Sequence, residues 1–228
     1  MIALIASEWL KTRSLRATWW SAGLTVVAVL LAAAIDREGV FPLAGYLVLI
    51  VVAASSGAAA MAGEYASGLI RATAVAVPAR SPVVLAKAAV LAGLWAVVSA
   101  VIVAGLLVVD GSVTVTPSEL LGATLVGPVC AVVGLGIAVL LRHAGAVYVA
   151  GILLLVALPQ LLTGDNAVVK ALRDAMILPA WQRLTLAYGP PEAVGDLYTS
   201  ATEAWLAYLL WPLAVLGVAL LVHRRRDV

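Results

Sequence analysis

Charged and strongly polar residues divide this chain into apolar runs of nearly equal length. From the N-terminus, the runs cover Trp19–Ile35, Leu43–Gly63, Ala88–Val109, Leu120–Leu141, Ala144–Leu162 and Ala204–Val222. Each is close to the roughly 20 residues that a helix rising 1.5 Å per residue needs to cross a hydrocarbon layer about 30 Å thick. The apolar residues are mainly Ala, Val and Leu, with a single Phe, which suits closely packed helices better than the strands of a barrel. The pattern predicts an all-α integral membrane protein, one transmembrane domain over 1–228 with six transmembrane helices.

Composition narrows the class further. Of 228 residues, 64% are hydrophobic and 11% charged, against about 25% charged in soluble domains, so no soluble core can absorb the apolar excess. The first run is a full span long and reaches Asp36, which predicts a retained anchor rather than a cleaved leader. Cys130, the single cysteine, lies inside an apolar run, so no disulfide or Cys-based metal site can form within one chain. Its expected role is packing.

Basic residues then orient the spans. Lys11, Arg13, Arg16, Arg71, Arg80, Lys87, Arg142, Arg224, Arg225 and Arg226 fall on one side, and Arg37, Lys170, Arg173 and Arg183 on the other. The positive-inside rule puts both termini in the cytoplasm and the chain in the cytoplasmic membrane as a multi-pass protein. Acidic residues agree, with Glu8, Glu64 and Asp227 inside and the other nine of the 12 outside. Arg142, His143 and Gly145 are almost the whole connection between the fourth and fifth spans, read as a tight cytoplasmic hairpin. His143 is read as a solvated interfacial side chain with no assigned role.

The interior segments so drawn contain no Asp, Glu, Lys, Arg or His, the groups that ion-coupled transport and intramembrane acid–base catalysis usually need. No Asp pair, Gly-x-Ser-x-Gly with a His, or His-Glu-x-x-His is present, and no Gly-x-x-x-x-Gly-Lys-Ser/Thr, so any ATP must be bound by a partner. No cofactor or metal is expected in this chain. Cys130, Gly134 and Ala138 recur at intervals of four on one face of the fourth span, and the second contains Ser55, Ser56, Gly57, Ala58 and Ala59, so helix backbones can approach closely there. Pro128 and Pro159 can kink the fourth and fifth spans, with packing the preferred reading over a pathway.

Two cytoplasmic segments carry the remaining pattern. At 100° per residue, Ile2, Ile5, Ala6, Trp9 and Leu10 share one side of residues 1–18, while Ser7, Lys11 and Ser14 share the other. This predicts an amphipathic interfacial helix, with Lys11, Arg13 and Arg16 on anionic headgroups and Trp9, Trp19 and Trp20 at the interface. Anchoring alone and partner docking both fit it. Between the second and third spans, Glu64, Gly68 and Arg71 fall at helical spacing until Pro78 stops them, which predicts a short cytoplasmic helix within 64–82. Arg80 and Lys87 would follow at the membrane surface. The apolar side of that short helix could dock into a groove on a soluble partner.

The Ser-Glu-Trp-Leu-Lys-x-Arg-Ser start, the six spans and the loop Gly-Glu-Tyr…Gly-Leu-Ile-Arg-Ala-Thr…Val-Pro-Ala-Arg…Ala-Lys resemble the ABC-2 type permeases of bacterial ATP-binding-cassette exporters, and the Ala/Val/Arg-rich style resembles actinobacterial members. The resemblance implies an N-terminal helix along the membrane and a coupling helix that contacts the ATPase, with Glu64, Gly68, Arg71, Pro78 and Arg80 the positions carried over. It implies an ATP-binding-cassette ATPase as partner, with ATP and Mg held there, and a second permease chain, a homodimer preferred over a paralogue. Membrane lipids are the other partner expected, and nucleic acid is not.

The segment 163–203 is long for a connection. Val168, Leu172, Ala175 and Met176 recur at helical spacing, Pro179 interrupts, and Trp181, Leu184, Leu186 and Tyr188 follow before Gly189-Pro190-Pro191. One or two short outer helices at the membrane surface are expected, and the resemblance implies a cap over the exit. The leading expectation is therefore the permease subunit of an exporter moving a hydrophobic or amphipathic drug, lipid or peptide, with no chemistry of its own. The alternatives are a membrane enzyme handling lipid or prenyl groups, which needs a polar catalytic cluster at one interface, and an immunity or sensor subunit without transport. The sequence assigns no substrate-binding residue.

Overall fold

The computed structural model describes residues 2–35, 40–68, 80–110, 115–164, 166–189 and 199–225. Among them there is no strand. The helices are α1 (Ile2–Ser14), α2 (Arg16–Ile35), α3 (Leu43–Ser67), α4 (Arg80–Asp110), α5 (Pro117–Leu141), α6 (Ala144–Leu161), α7 (Ala167–Asp174), α8 (Ile177–Leu184) and α9 (Ala201–Arg225). Six of these, α2, α3, α4, α5, α6 and α9, are long and apolar enough to cross a membrane, as the run pattern predicts.

Among the boundaries that differ from the pattern, two bring Glu64 and Lys87 into helices. α3 runs past Gly63 through Glu64 to Ser67, and α4 begins at Arg80, so Lys87 is two turns inside it. Glu64, the first position of the short helix expected within 64–82, lies in the last turn of α3, and residues 69–79 of that segment lie outside the described residues. Gly68 ends that turn with φ +70°, its N–H donating to the Tyr65 carbonyl at 3.4 Å; this left-handed C-cap is a conformation glycine adopts without a Cβ penalty. Arg71 and Pro78 lie outside the described residues, and Arg80 is the first residue of α4 rather than part of a loop.

The other ends follow local chemistry. α5 starts at Pro117, where the missing N–H removes nothing, and Thr116 caps it by accepting from the Glu119 N–H at 3.3 Å while its hydroxyl donates to the Glu119 carboxylate at 2.7 Å. Arg142, in a left-handed conformation, closes α5, and the exposed His143 opens α6 by accepting the Ala146 N–H at Nδ1, 3.3 Å. The connection is as tight as the sequence predicts, with Gly145 already inside α6, and His143 has a capping role in it. In α6, Pro159 lacks an N–H and crowds the Leu155 carbonyl, and the turn Leu153–Ala157 widens into a π-turn.

α5 is the central helix, packed by α3, α4, α6, α8 and α9. Its closest neighbour is α3. A Cβ on Gly57 would collide with the Ala131 carbonyl oxygen, and one on Gly134 with that of Ala54. Cys130, Gly134 and Ala138 are buried on this seam, so the small-residue stripes do bring two backbones together. At the far end, the outer segment breaks between Asp174 and Ile177, just ahead of Pro179. The proline sits in the first turn of α8, where a helix has no N–H acceptor to lose. α8 is buried along Ile177, Leu178, Ala180, Trp181 and Leu184, and Trp181 stacks on Tyr46 near the start of α3 at 4.6 Å between ring centroids.

Candidate functional site

The sequence pattern leaves charge outside the spans, yet three helices bring four charged side chains together. On α1, Glu8 and Lys11 are one turn apart and pair at 2.7 Å. Lys87 of α4 reaches both carboxylates, Glu8 Oε2 at 2.5 Å and Glu64 Oε1 of α3 at 2.7 Å. Lys11 also meets Glu64 Oε1, at 3.2 Å. The result is a closed ring, Glu8–Lys11–Glu64–Lys87, of alternating sign and no net charge.

Burial distinguishes this ring from surface ion pairs. The side chain of Lys87 is 5% exposed, that of Glu8 6% and that of Glu64 11%, while Lys11 is half exposed. Charges are tolerated out of water only when paired and hydrogen-bonded, and each member here has a partner within the ring. For Glu8, burial works to raise the carboxyl, but hydrogen bonds from Lys11 and Lys87, with their charges, outweigh it and hold the group below its ordinary value. For Lys11, burial works to lower the ammonium, and the bonds and charges of Glu8 and Glu64 outweigh it and raise the group.

The sign of each shift defines a pH window. The Glu8 contribution is complete above the ordinary carboxylate value of 4.5 and is lost as pH falls through its depressed folded value. The Lys11 contribution is complete below the ordinary lysine value of 10.5 and is lost as pH rises through its raised folded value. α1 is therefore expected to stay fastened between those two values and to loosen on the acid side as pH falls through the depressed Glu8 value. Spin labels at the exposed Ser7 and Gly63, read by pulsed electron resonance, check this. A distance change centred near neutral pH would put a different group in control.

Around the ring, Arg142 lies with its guanidinium 5.4 Å from the Tyr65 ring centroid, a cation–π placement at the same end of the bundle. The α1–α2 corner is held by the Trp19 indole N–H donating to the Arg13 carbonyl at 3.0 Å and by an edge contact of Trp19 with Trp9 at 6.5 Å. Arg13, Arg16, Trp9, Trp19 and Trp20 are all exposed. Beside this corner, a cavity of about 320 Å³ is lined by Thr12, Thr18, Ser21, Ser55, Ser56 and Tyr148, with Leu15, Val52 and Leu91 among its apolar neighbours.

Of the residues singled out from the sequence, the structure brings together Lys11 and Glu64. Glu8 and Lys87 complete the ring; the sequence pattern places Lys87 at the membrane surface and gives Glu8 no role of its own. The signal for Lys87 was available, because a lysine ahead of Ala88–Val109 and continuous with it calls for a carboxylate partner. Compared with known protein families, curated proteins and solved structures, the chain finds no match.

Proposed function

We propose that this chain is the membrane-spanning permease subunit of an ATP-driven exporter of the ABC-2 type, with both termini cytoplasmic and ATP hydrolysed by a separate ATPase subunit. The observation that carries this reading is the charged ring. It ties α1 to the end of α3 and the start of α4, the two helices that flank residues 69–79. A force applied by a soluble motor to that segment or to α1 would move three helix ends together, which is what transmission from an ATPase requires.

The hydroxyl-lined cavity next to the ring suits a neutral amphipathic molecule, since its walls offer donors and acceptors beside apolar surface and no charged side chain. A membrane enzyme is the weaker reading, because the carboxylates and ammoniums at this end are spent on one another rather than directed into the cavity. A second permease chain would complete a pathway between two sets of six spans.

Co-purification with a separate ATP-binding-cassette ATPase, followed by ATP hydrolysis in vesicles, tests the proposal. Compounds that are transported should accelerate hydrolysis, and Glu64→Gln should abolish that acceleration while basal hydrolysis by the ATPase persists. Transport by the 23.4 kDa chain alone, with no ATPase present, would overturn it.

A further inference from the structure

The charged ring and the hydroxyl-lined cavity are built on the same helices. On α1, Thr12 of the cavity follows Glu8 of the ring by four residues; on α3, Ala60 precedes Glu64 by four; on α4, Leu91 follows Lys87 by four. Residues four apart lie one above the other on a helix face, so the cavity starts one turn from the ring on all three helices. We propose that α1 is a lid over the ring-side end of this cavity, that the ring is its fastening, and that release of α1 opens the cavity to water. The inference goes beyond the exporter reading and needs no ATPase.

The cover is supplied by α1 and its corner. Thr12 of α1, Leu15 between the two helices and Thr18 of α2 line the cavity, while α3 contributes Ser55 and α6 contributes Tyr148. The lid therefore forms part of the cavity wall itself, and it cannot move without changing what encloses the space.

Charge rather than apolar burial holds the lid shut. Of the 13 residues of α1 only Glu8 is buried, and Ile2, Ile5, Trp9 and Leu10 are exposed. A helix that fully buries no apolar side chain lacks what fastens most helices to their neighbours. In its place α1 has the pair of Glu8 with Lys87 at 2.5 Å and that of Lys11 with Glu64 at 3.2 Å. Elements with few buried apolar contacts are the ones that open locally, at less cost than global unfolding.

The far end of the lid is hinged. The Trp19 indole N–H on the Arg13 carbonyl and the edge contact of Trp19 with Trp9 join α1 to α2 without any ring member, so a broken ring leaves α1 attached at the corner. The bundle also stays balanced when α1 leaves. Lys87 and Glu64 remain paired with each other at 2.7 Å, and this pair carries no net charge.

The test is Glu8→Gln with Lys11→Gln in the full chain carrying Ser55→Cys, held in nanodiscs so that both faces meet the buffer. A charged, membrane-impermeant methanethiosulfonate then reports whether water reaches the cavity at Ser55, which is partly buried. Modification of each cysteine is followed by mass spectrometry, with Cys130, buried on the α3–α5 seam, as a second reporter in the same molecule. Ser55→Cys is expected to react about tenfold faster once the two α1 charges are removed, equivalent to about 1.4 kcal/mol, while Cys130 stays unmodified. Equal rates at Ser55→Cys with and without those charges would overturn the proposal. If both are fast, α1 covers nothing; if both are slow, the ring does not hold it. Modification of Cys130 together with Ser55→Cys would overturn it as well, because the ring would then hold the whole bundle and not a lid.

Discussion

Lys87→Met is expected to free α1 from the bundle and to cost about 3–5 kcal/mol of stability, the range found when one member of a buried ion pair is removed. The size follows from what remains. Glu8 and Glu64 would face each other at 6% and 11% exposure with only Lys11, itself half in solvent, to balance them. Thermal unfolding in detergent should register the loss, and the Ser7–Gly63 label distance should lengthen. Methionine keeps the length and apolar stem of lysine, so the effect belongs to the charge. The triple variant Glu8→Gln, Glu64→Gln, Lys87→Met removes the imbalance and should recover most of the stability, since replacing a whole buried network by neutral groups of similar volume is often neutral. If the single variant costs less than about 1 kcal/mol, the ring is water-filled and is not what holds α1. Full loss in the triple variant would point to shape rather than charge.

That ring also marks where sequence reasoning stops. Six spans were legible because a run of about 20 apolar residues has few alternatives to crossing a bilayer. The contact of α3 with α5 was legible too, since Gly57 and Gly134 sit in stripes of small residues whose geometric consequence is close approach. Glu64 and Lys87 were not, because a charge at the end of an apolar run reads as a boundary, and a boundary is the wrong inference when the opposite charge stands on a neighbouring helix. Nothing local to Lys87 names Glu8, which is 79 residues away. α1 shows the same limit. Its amphipathic pattern separates Trp9 and Leu10 from Ser7 and Lys11, yet the residue it turns into the protein is Glu8, which neither face of that pattern singled out. Short helices are harder again. The interruption expected at Pro179 falls at Ala175 and Met176, because a proline is accommodated in a first turn, and only Met176 as N-cap fixes that boundary.

The second large effect is expected at the α3–α5 seam, where Gly134→Ala should destabilise the protein by about 3 kcal/mol, the upper part of the range for overpacking. A methyl group is a small addition, and its cost depends on what it meets. At Gly134 the obstacle is the carbonyl oxygen and backbone of Ala54, and at Gly57 it is the carbonyl of Ala131. A side chain can rotate away, but a backbone can retreat only if the whole helix moves, and α5 is held by helices on its other sides. Separating the two helices would also forfeit dispersion contacts along Cys130 and Ala138, which lie on the same buried seam. Gly93→Ala is the matched control. It is exposed on α4 with no atom within 4 Å of an added Cβ, so only helix propensity changes, and a gain of up to about 1 kcal/mol is expected. Gly57→Ala with Gly134→Ala should cost less than the sum of the two, because the helix displacement that relieves one collision relieves part of the other. Thermal unfolding of the four variants beside the parent checks the set. Equal behaviour of Gly134→Ala and Gly93→Ala would mean that the seam is loose and that the bundle is held chiefly elsewhere.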